Sequence, residues 1–278
     1  SASDTNSYWI VFLCAIGFSF INNTLFSLLH EAVHKVFHSN EKLNYIFGVL
    51  VAGFFPTGFT FQRYCHLTHH KNNRTDNEMF EAYYPNDNKT LKSVQLYGIL
   101  TGFYWPLVVF GWMTYLFFPF ILKVKSLRQS KSHHVKHTGA NAYISLFDNN
   151  PEALKIKLEL IYTIIFQVSL FLIFDLSFWS WLACYYAFSI NWGALQYADH
   201  AYSARDIRHG AWNLKINKTV QFIFLNYHHH LAHHMHPHVP WIHLHKFVDF
   251  NSPRKTFREI YLKLWKGPVL TTDPSPRA

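Results

Sequence analysis

The sequence predicts an all-α integral membrane protein, with transmembrane helices beneath a helical cytosolic cap. Three observations predict it. Long apolar runs lack charge, basic residues gather between only some of those runs, and histidines recur at helical spacing near the run ends. Of the 278 residues, 50% are hydrophobic and 15% charged, against about 25% charged in a soluble domain. This balance also excludes a disordered chain, which needs low hydrophobicity and high net charge.

The first run, Tyr8–Leu29, is long enough for one crossing, which takes about 20 apolar residues. Leu43–Phe61 is broken by Gly48, Gly53, Pro56 and Gly58. Val94–Leu122 contains Pro106 and Pro119. Leu160–Ala198 carries one charge, Asp175, and reads as a helical hairpin turning at Asp175-Leu176-Ser177. Basic residues mark the cytoplasmic side. They cluster at Lys35 and Lys42, at Arg63, Lys71 and Arg74, along Lys123–Lys136 and along Arg205–Lys218. The first run therefore runs inward, and the hairpin goes out and returns. A single crossing by either broken run would place its flanking basic clusters on opposite sides. Both are expected in plane or re-entrant, with their backbone satisfied by protein or headgroup water. The expected organisation is one domain over residues 1–278, with 8–29 and 160–198 spanning and 199–278 forming the cytosolic cap and tail.

A net charge of +9, combined with apolar runs rather than a soluble basic fold, favours a membrane surface or an acidic partner over nucleic acid. Cys14, Cys65 and Cys184 form no CxxC pair, so neither a disulfide framework nor a zinc ribbon is expected. Cys65, beside His66, reads as small packing. The chain opens Ser1-Ala2-Ser3, which points to a segment upstream. No basic lead-in precedes the first run, so no cleavable signal is expected.

Among 20 histidines, three boxes stand out. HEAVH spans His30 to His34, HLTHH covers His66, His69 and His70, and HLAHH covers His230, His233 and His234. Residues at i, i+3 and i+4 share a helix face, so each box is expected to aim its imidazoles at one point. His200 follows the returning leg of the hairpin, with Gln196 four residues before it. Neutral imidazole suits zinc, copper, iron and nickel. One metal cannot use eight or nine imidazoles, whereas two can. The first box also reads HExxH, a zincin motif with Glu31 as general base. A membrane zinc protease would leave the second and third boxes unexplained. An ion transporter places its ligands near the bilayer midplane, whereas these boxes sit at run ends.

The boxes, in this order and at these intervals, resemble the membrane fatty-acid desaturase and hydroxylase superfamily. FLNYHHHLAHHMHPHVPW, from Phe224 to Trp241, resembles its bacterial acyl-lipid branch, and Tyr197-Ala-Asp-His200 resembles the family's additional histidine. The resemblance covers His30 to Trp241. It implies a non-haem di-iron centre with His30, His34, His66, His69, His70, His200, His230, His233 and His234 as ligands and O2 as co-substrate. Members commonly have four spans against the three crossings counted here. The missing fourth lies upstream or in Val94–Leu122. No cytochrome b5 domain is fused, so electrons come from a separate protein of ferredoxin, rubredoxin or cytochrome b5 type. The implied activity is desaturation of an acyl chain. The runner-up is a hydroxylase or ketolase acting on a lipid, carotenoid or other amphiphile. The implied location is the bacterial inner membrane, with the site on its cytoplasmic side.

Oxidising an unactivated C–H bond with O2 needs a redox metal, which zinc is not. Groups expected to orient the imidazoles are Gln196, Asp199, Asn226, Glu31, Asp76 and Glu78, with Glu81 and Asp206 as further carboxylates. The remaining histidines flanking the third box (His228, His229, His236, His238, His243, His245) and in the basic loop (His133, His134, His137) read as surface residues. The basic stretches Lys123–Lys136 and Arg205–Lys218 reflect cytoplasmic topology first. They could also dock an acidic electron donor.

Overall fold

The computed structural model describes residues 7–130 and 137–276. Residues 131–136, with His133, His134 and part of the basic loop, lie outside it. Among the described residues the fold is helical. The order is α1 (Tyr8–Val33), α2 (Glu41–Phe54), α3 (Phe59–Asn72), α4 (Lys89–Leu100), α5 (Tyr104–Phe117), α6 (Lys125–Arg128), α7 (Gly139–Ile144), α8 (Ala153–Phe174), α9 (Phe178–Ala198), α10 (Lys218–Ile223), α11 (His230–Met235), α12 (Trp241–Leu244) and α13 (Phe257–Leu264). One short parallel pair joins β1 (Ala82–Tyr83) to β2 (Val269–Leu270).

Helix α1 explains the architecture in miniature. Ala15, Ser19, Asn22, Asn23, Phe26 and Leu29 to Val33 are buried, and the helix packs mainly along α9. Its other face leaves Trp9, Phe12, Leu13 and Ile21 exposed. Helix α8 likewise exposes Leu158, Ile165, Leu172 and Ile173. Continuous apolar surface of this kind marks contact with lipid or protein rather than water. Helices α1 and α8 are each long and apolar enough to cross a membrane, and the chain is a membrane protein.

The two broken runs each divide into a bent helix pair, α2–α3 at 91° and α4–α5 at 94°. The first bend falls at Phe55-Pro56-Thr57-Gly58. There the buried Glu159 carboxylate of α8 accepts from the Thr60 amide at 2.6 Å and the Thr60 hydroxyl at 2.7 Å. An anion at a helix N-terminus satisfies unpaired amides and the helix dipole together. The second bend turns on Gly102, at φ 87°, a left-handed conformation that glycine adopts without a Cβ penalty. Pro106 falls within the first turn of α5, where its missing amide proton costs least. Between α8 and α9, Asp175 takes φ 45°, ψ 55° and ends the helix at the turn expected there.

Polar residues on the buried face of α1 hold the cap. Thr24 donates to the Ile223 carbonyl at 2.7 Å and Ser27 to the Phe224 carbonyl at 3.0 Å. Both carbonyls lie at the end of α10, where the helix's own amides run out, and the Phe224 carbonyl also accepts from the Tyr227 amide at 3.0 Å. The loop after α3 is tied down by the buried pair Arg74–Glu81 at 2.5 Å, and Glu81 also accepts from the Tyr197 hydroxyl.

Candidate metal centre

All nine histidines of the expected ligand set come together, and they do so at two points rather than one. His30, His34, His66, His70 and His233 form one group, and His69, His200, His230 and His234 the other. Within each, the ligating atoms lie within 4.8 Å of one another. In the first group the Nε2 atoms of His34 and His66 are 2.8 Å apart, those of His66 and His70 3.0 Å, and those of His70 and His233 3.1 Å. In the second, Nε2 of His69 and His200 are 3.1 Å apart. The groups adjoin, with the rings of His70 and His234 stacked at 4.3 Å between centroids.

The expectation that each box aims at a single point is therefore corrected. The second and third boxes each split. His66 and His70 face the first group and His69 the second, while His230 and His234 face the second group and His233 the first. Helical geometry supplies the reason. At 3.6 residues per turn, i and i+4 project about 40° apart, while i+3 lies roughly 60° to the other side of i. An HxxHH box thus points one pair of rings one way and its middle ring another. Helices α3 and α11 carry these boxes, and α1 delivers His30 with His34 at its C-cap.

The donor set suits metal ions. Nε2 of His30 and of His234 are buried without a hydrogen-bond partner, although a buried polar atom ordinarily has one. Burial, reinforced by neighbouring imidazoles, holds His200, His233 and His234 well below the ordinary histidine range and brings His230 down to about 3. The rings are therefore neutral at pH 7, the form that ligates metal.

Two groups stand behind imidazoles on Nδ1, and the other expected residues engage different partners. His69 Nδ1 lies 2.7 Å from Glu78 Oε2, and Glu78 also accepts from the Tyr143 hydroxyl. His200 Nδ1 lies 2.9 Å from the Gly210 carbonyl. Gln196 accepts from the Tyr227 hydroxyl at 2.7 Å, and the Tyr227 ring packs against both His30 and His230 at 5.1 Å. Asp199 is fully buried with neither carboxylate oxygen hydrogen-bonded, so burial pushes its carboxyl well above the usual range. Glu31 accepts from the Trp241 amide at 3.1 Å and so ties the first box to the segment after the third. Asn226 also reaches the Trp241 residue, donating to its carbonyl at 3.1 Å. Asp76 pairs with Arg205 at 2.5 Å rather than with an imidazole. Glu81 pairs with Arg74, and Asp206 accepts from the backbone amides of Arg208 and His209.

Of the histidines expected at the surface, His137, His238, His243 and His245 are exposed and His236 is half-buried. His228 and His229 are corrected: they are 1% and 0% exposed. Their segment runs beneath the cap, where the Leu214 amide donates to the His228 carbonyl at 2.9 Å. Neither belongs to a metal group. Cys65 packs in an apolar cluster around Phe61 and Phe147, as expected.

Tyr143, Tyr227, Trp241 and Gly210 were not anticipated from the sequence. Gly210 is required: a Cβ there would meet the Asp206 carbonyl oxygen at 2.1 Å and Arg74 Cγ at 2.2 Å. The adjacency of Tyr227 to the third box was the only signal available. Tyr143 lies on α7, a single helical turn and a half with no periodic pattern to read.

Fold and site together define a helical membrane protein with paired multi-histidine metal sites. The sequence model of the fatty acid desaturase family matches residues 7–266, so the chain belongs to that family. A search of curated proteins finds no match. Family membership and the engagement of Glu31 with the Trp241 amide leave the zinc-protease reading without support.

Proposed function

We propose that the protein is an O2-dependent di-iron oxidoreductase that introduces a double bond into an acyl chain. The observation that carries this reading is the pair of adjoining imidazole groups, five and four strong, where the ends of the apolar helices α1 and α9 meet α3 and α11. His30, His34, His66, His70 and His233 would hold one iron, and His69, His200, His230 and His234 the other. The pair of irons supplies the redox chemistry with O2 that removal of hydrogen from an unactivated C–H bond requires. The chain's own residues do the rest. Glu78 and the Gly210 carbonyl each fix an imidazole proton on Nδ1, leaving Nε2 of His69 and His200 to ligate. Tyr227 and Gln196 brace the two groups from the core side. The aromatic cluster of Phe26, Phe55, Tyr185 and Trp192 keeps water from the bundle beneath them.

Topology by the positive-inside rule supports a site on the cytoplasmic face, and the resemblance of the third box supports a bacterial inner membrane. Electrons would come from a separate ferredoxin, rubredoxin or cytochrome b5 type protein. The basic surface including Lys123, Lys125 and Arg208 offers complementarity to an acidic donor. The test is mass spectrometry of lipids from cells expressing the wild type or His230→Ala. A product lighter by two hydrogens, lost in the variant, is the expected result. A product heavier by one oxygen would instead make the enzyme a hydroxylase or ketolase. The same lipid profile in both strains would refute the reading.

A further inference from the structure

Tyr143 is joined to the four-histidine group by two consecutive hydrogen bonds. Its hydroxyl donates to Glu78 Oε1 at 2.5 Å, and Glu78 Oε2 lies 2.7 Å from His69 Nδ1. The other ring nitrogen, His69 Nε2, faces His200 Nε2 at 3.1 Å inside the group. Both contacts use one carboxylate, so phenol, carboxylate and imidazole form a continuous hydrogen-bonded path to the group. The fold secures the far end of this path. The Thr138 side chain caps α7 by accepting from the Asn141 amide, and Gly139 lets α7 approach the Asn77 carbonyl, which a Cβ would meet at 2.6 Å. Asn77 directly precedes Glu78. Other tyrosines are placed differently. Tyr227 packs on His30 and His230 but donates to the neutral Gln196 amide, a poor acceptor of a proton. Tyr197 donates to Glu81, which Arg74 engages, and Tyr84 to Asp76, which Arg205 engages. Tyr64 donates to Glu152, which Lys155 engages.

We propose that Tyr143 is a redox-active residue, passing one electron along the Glu78–His69 path to the O2-oxidised metal pair when that oxidising power is not spent on a substrate C–H bond. A phenol gives up an electron readily only when its proton can leave with it, and the Glu78 carboxylate stands at hydrogen-bond distance to take that proton. In this step Tyr143 is oxidised to a neutral tyrosyl radical. Its electron reduces the iron of the four-histidine group by one, and its hydroxyl proton moves to Glu78 Oε1. The O–H bond of Tyr143 breaks and one forms on Glu78. The separate one-electron donor protein returns the electron, and Glu78 returns the proton. Tyr143 is half-buried, and the Thr138 amide at the N-cap of α7 donates to the Arg128 carbonyl at 3.0 Å, which ties α7 to the basic helix α6. The radical would therefore form beside the surface that suits an acidic donor. This inference rests on the di-iron reading.

The test uses the full chain, purified in detergent without added lipid, loaded with iron and reduced in the absence of air. It is mixed with O2, freeze-quenched and read by electron paramagnetic resonance, which follows the radical rather than turnover. The expected result is a tyrosyl signal whose hyperfine pattern changes with ring-deuterated tyrosine. The signal should be lost in Tyr143→Phe and kept in Tyr64→Phe. Iron per chain, measured beforehand without chelator, should match the wild type in Tyr143→Phe, since the hydroxyl contacts Glu78 rather than an imidazole. Tyr143→aminotyrosine, which oxidises more easily, should show an aminotyrosyl spectrum in place of the tyrosyl one, a change that a merely structural hydroxyl would not produce. An iron-loaded wild type that consumes O2 without a tyrosyl signal would overturn the proposal. So would a signal that survives in Tyr143→Phe or arises in the iron-free chain, or an unaltered spectrum in Tyr143→aminotyrosine. Each of these outcomes leaves the di-iron reading standing. A chain that neither retains iron nor consumes O2 would sink that reading and the tyrosine relay with it.

Discussion

Replacing Glu78 tests how the chain holds its second imidazole group. Glu78 accepts from His69 Nδ1 at 2.7 Å, and the two side chains are only 12% and 23% exposed, so water screens the contact poorly. Hydrogen bonds to a charged partner contribute about 1.5–3 kcal/mol. Loss of an outer partner of a metal-bound histidine typically lowers metal affinity roughly 10–100-fold, or about 1.4–2.7 kcal/mol, so the two scales agree. Glu78→Gln keeps one acceptor oxygen but loses the charge, and iron retention against a chelator should fall about tenfold. Glu78→Ala leaves both His69 and Tyr143 without their acceptor, and the loss should approach roughly 100-fold. The assay is iron per chain against increasing chelator, read on purified protein. The loss should come from one iron of the pair, because His69 belongs to the four-histidine group. Wild-type retention in Glu78→Ala would refute the reasoning, as would equal loss of both irons.

Other outcomes follow from neighbouring contacts. Tyr143→Phe removes a donor to Glu78 but leaves the His69 contact, so iron retention should drop by less than in Glu78→Gln in the same titration. Gly210→Ala must displace the carbonyl that faces His200 Nδ1, and its yield of folded, iron-loaded protein in size-exclusion chromatography should fall below that of Ala211→Gly. Glu81→Ala strands the Arg74 guanidinium in a buried site. A broken buried pair typically costs about 3–5 kcal/mol, visible as a lower midpoint in thermal unfolding followed by fluorescence. Burial opposes ionisation of Glu81, but Arg74 and its hydrogen bonds prevail and hold its carboxyl below the usual range. The pair therefore contributes fully above the unfolded carboxyl value of 4.5, and its contribution is lost as pH falls through the lower folded value. A wild-type acid transition no different from that of Glu81→Gln would contradict this assignment. Chelation of the metals should lower the unfolding midpoint, since a ligand bound only by the folded state stabilises it.

The histidines were legible because coordination chemistry leaves a periodic trace: spacing at i, i+3 and i+4 on α3 and α11 is visible without a structure. The division of each box between two foci was also latent in that spacing, through the angle separating i+3 from i and i+4. The turn at Asp175 and the break near Pro56 were readable from single residues that cannot continue a straight helix at low cost, whereas the second bend falls at Gly102, ahead of the Pro106 that marks that run. Burial of His228 and His229 was not readable, because a run of histidines gives no hint that the segment passes beneath a cap. Tyr143 and Gly210 act through contacts distant in sequence. Tyr143 meets Glu78 from the far side of α4, α5 and α6, and a lone tyrosine or glycine carries no pattern that reveals such a partner. Asp76 and Glu78 looked equivalent in sequence, yet Arg205 engages the first and His69 the second.

The central claim is that nine imidazoles hold a pair of irons in groups of five and four. Elemental analysis of the purified chain tests it most directly. The account predicts about two irons per chain, falling towards one in His200→Ala or His230→Ala. A single zinc unaffected by either substitution would contradict it.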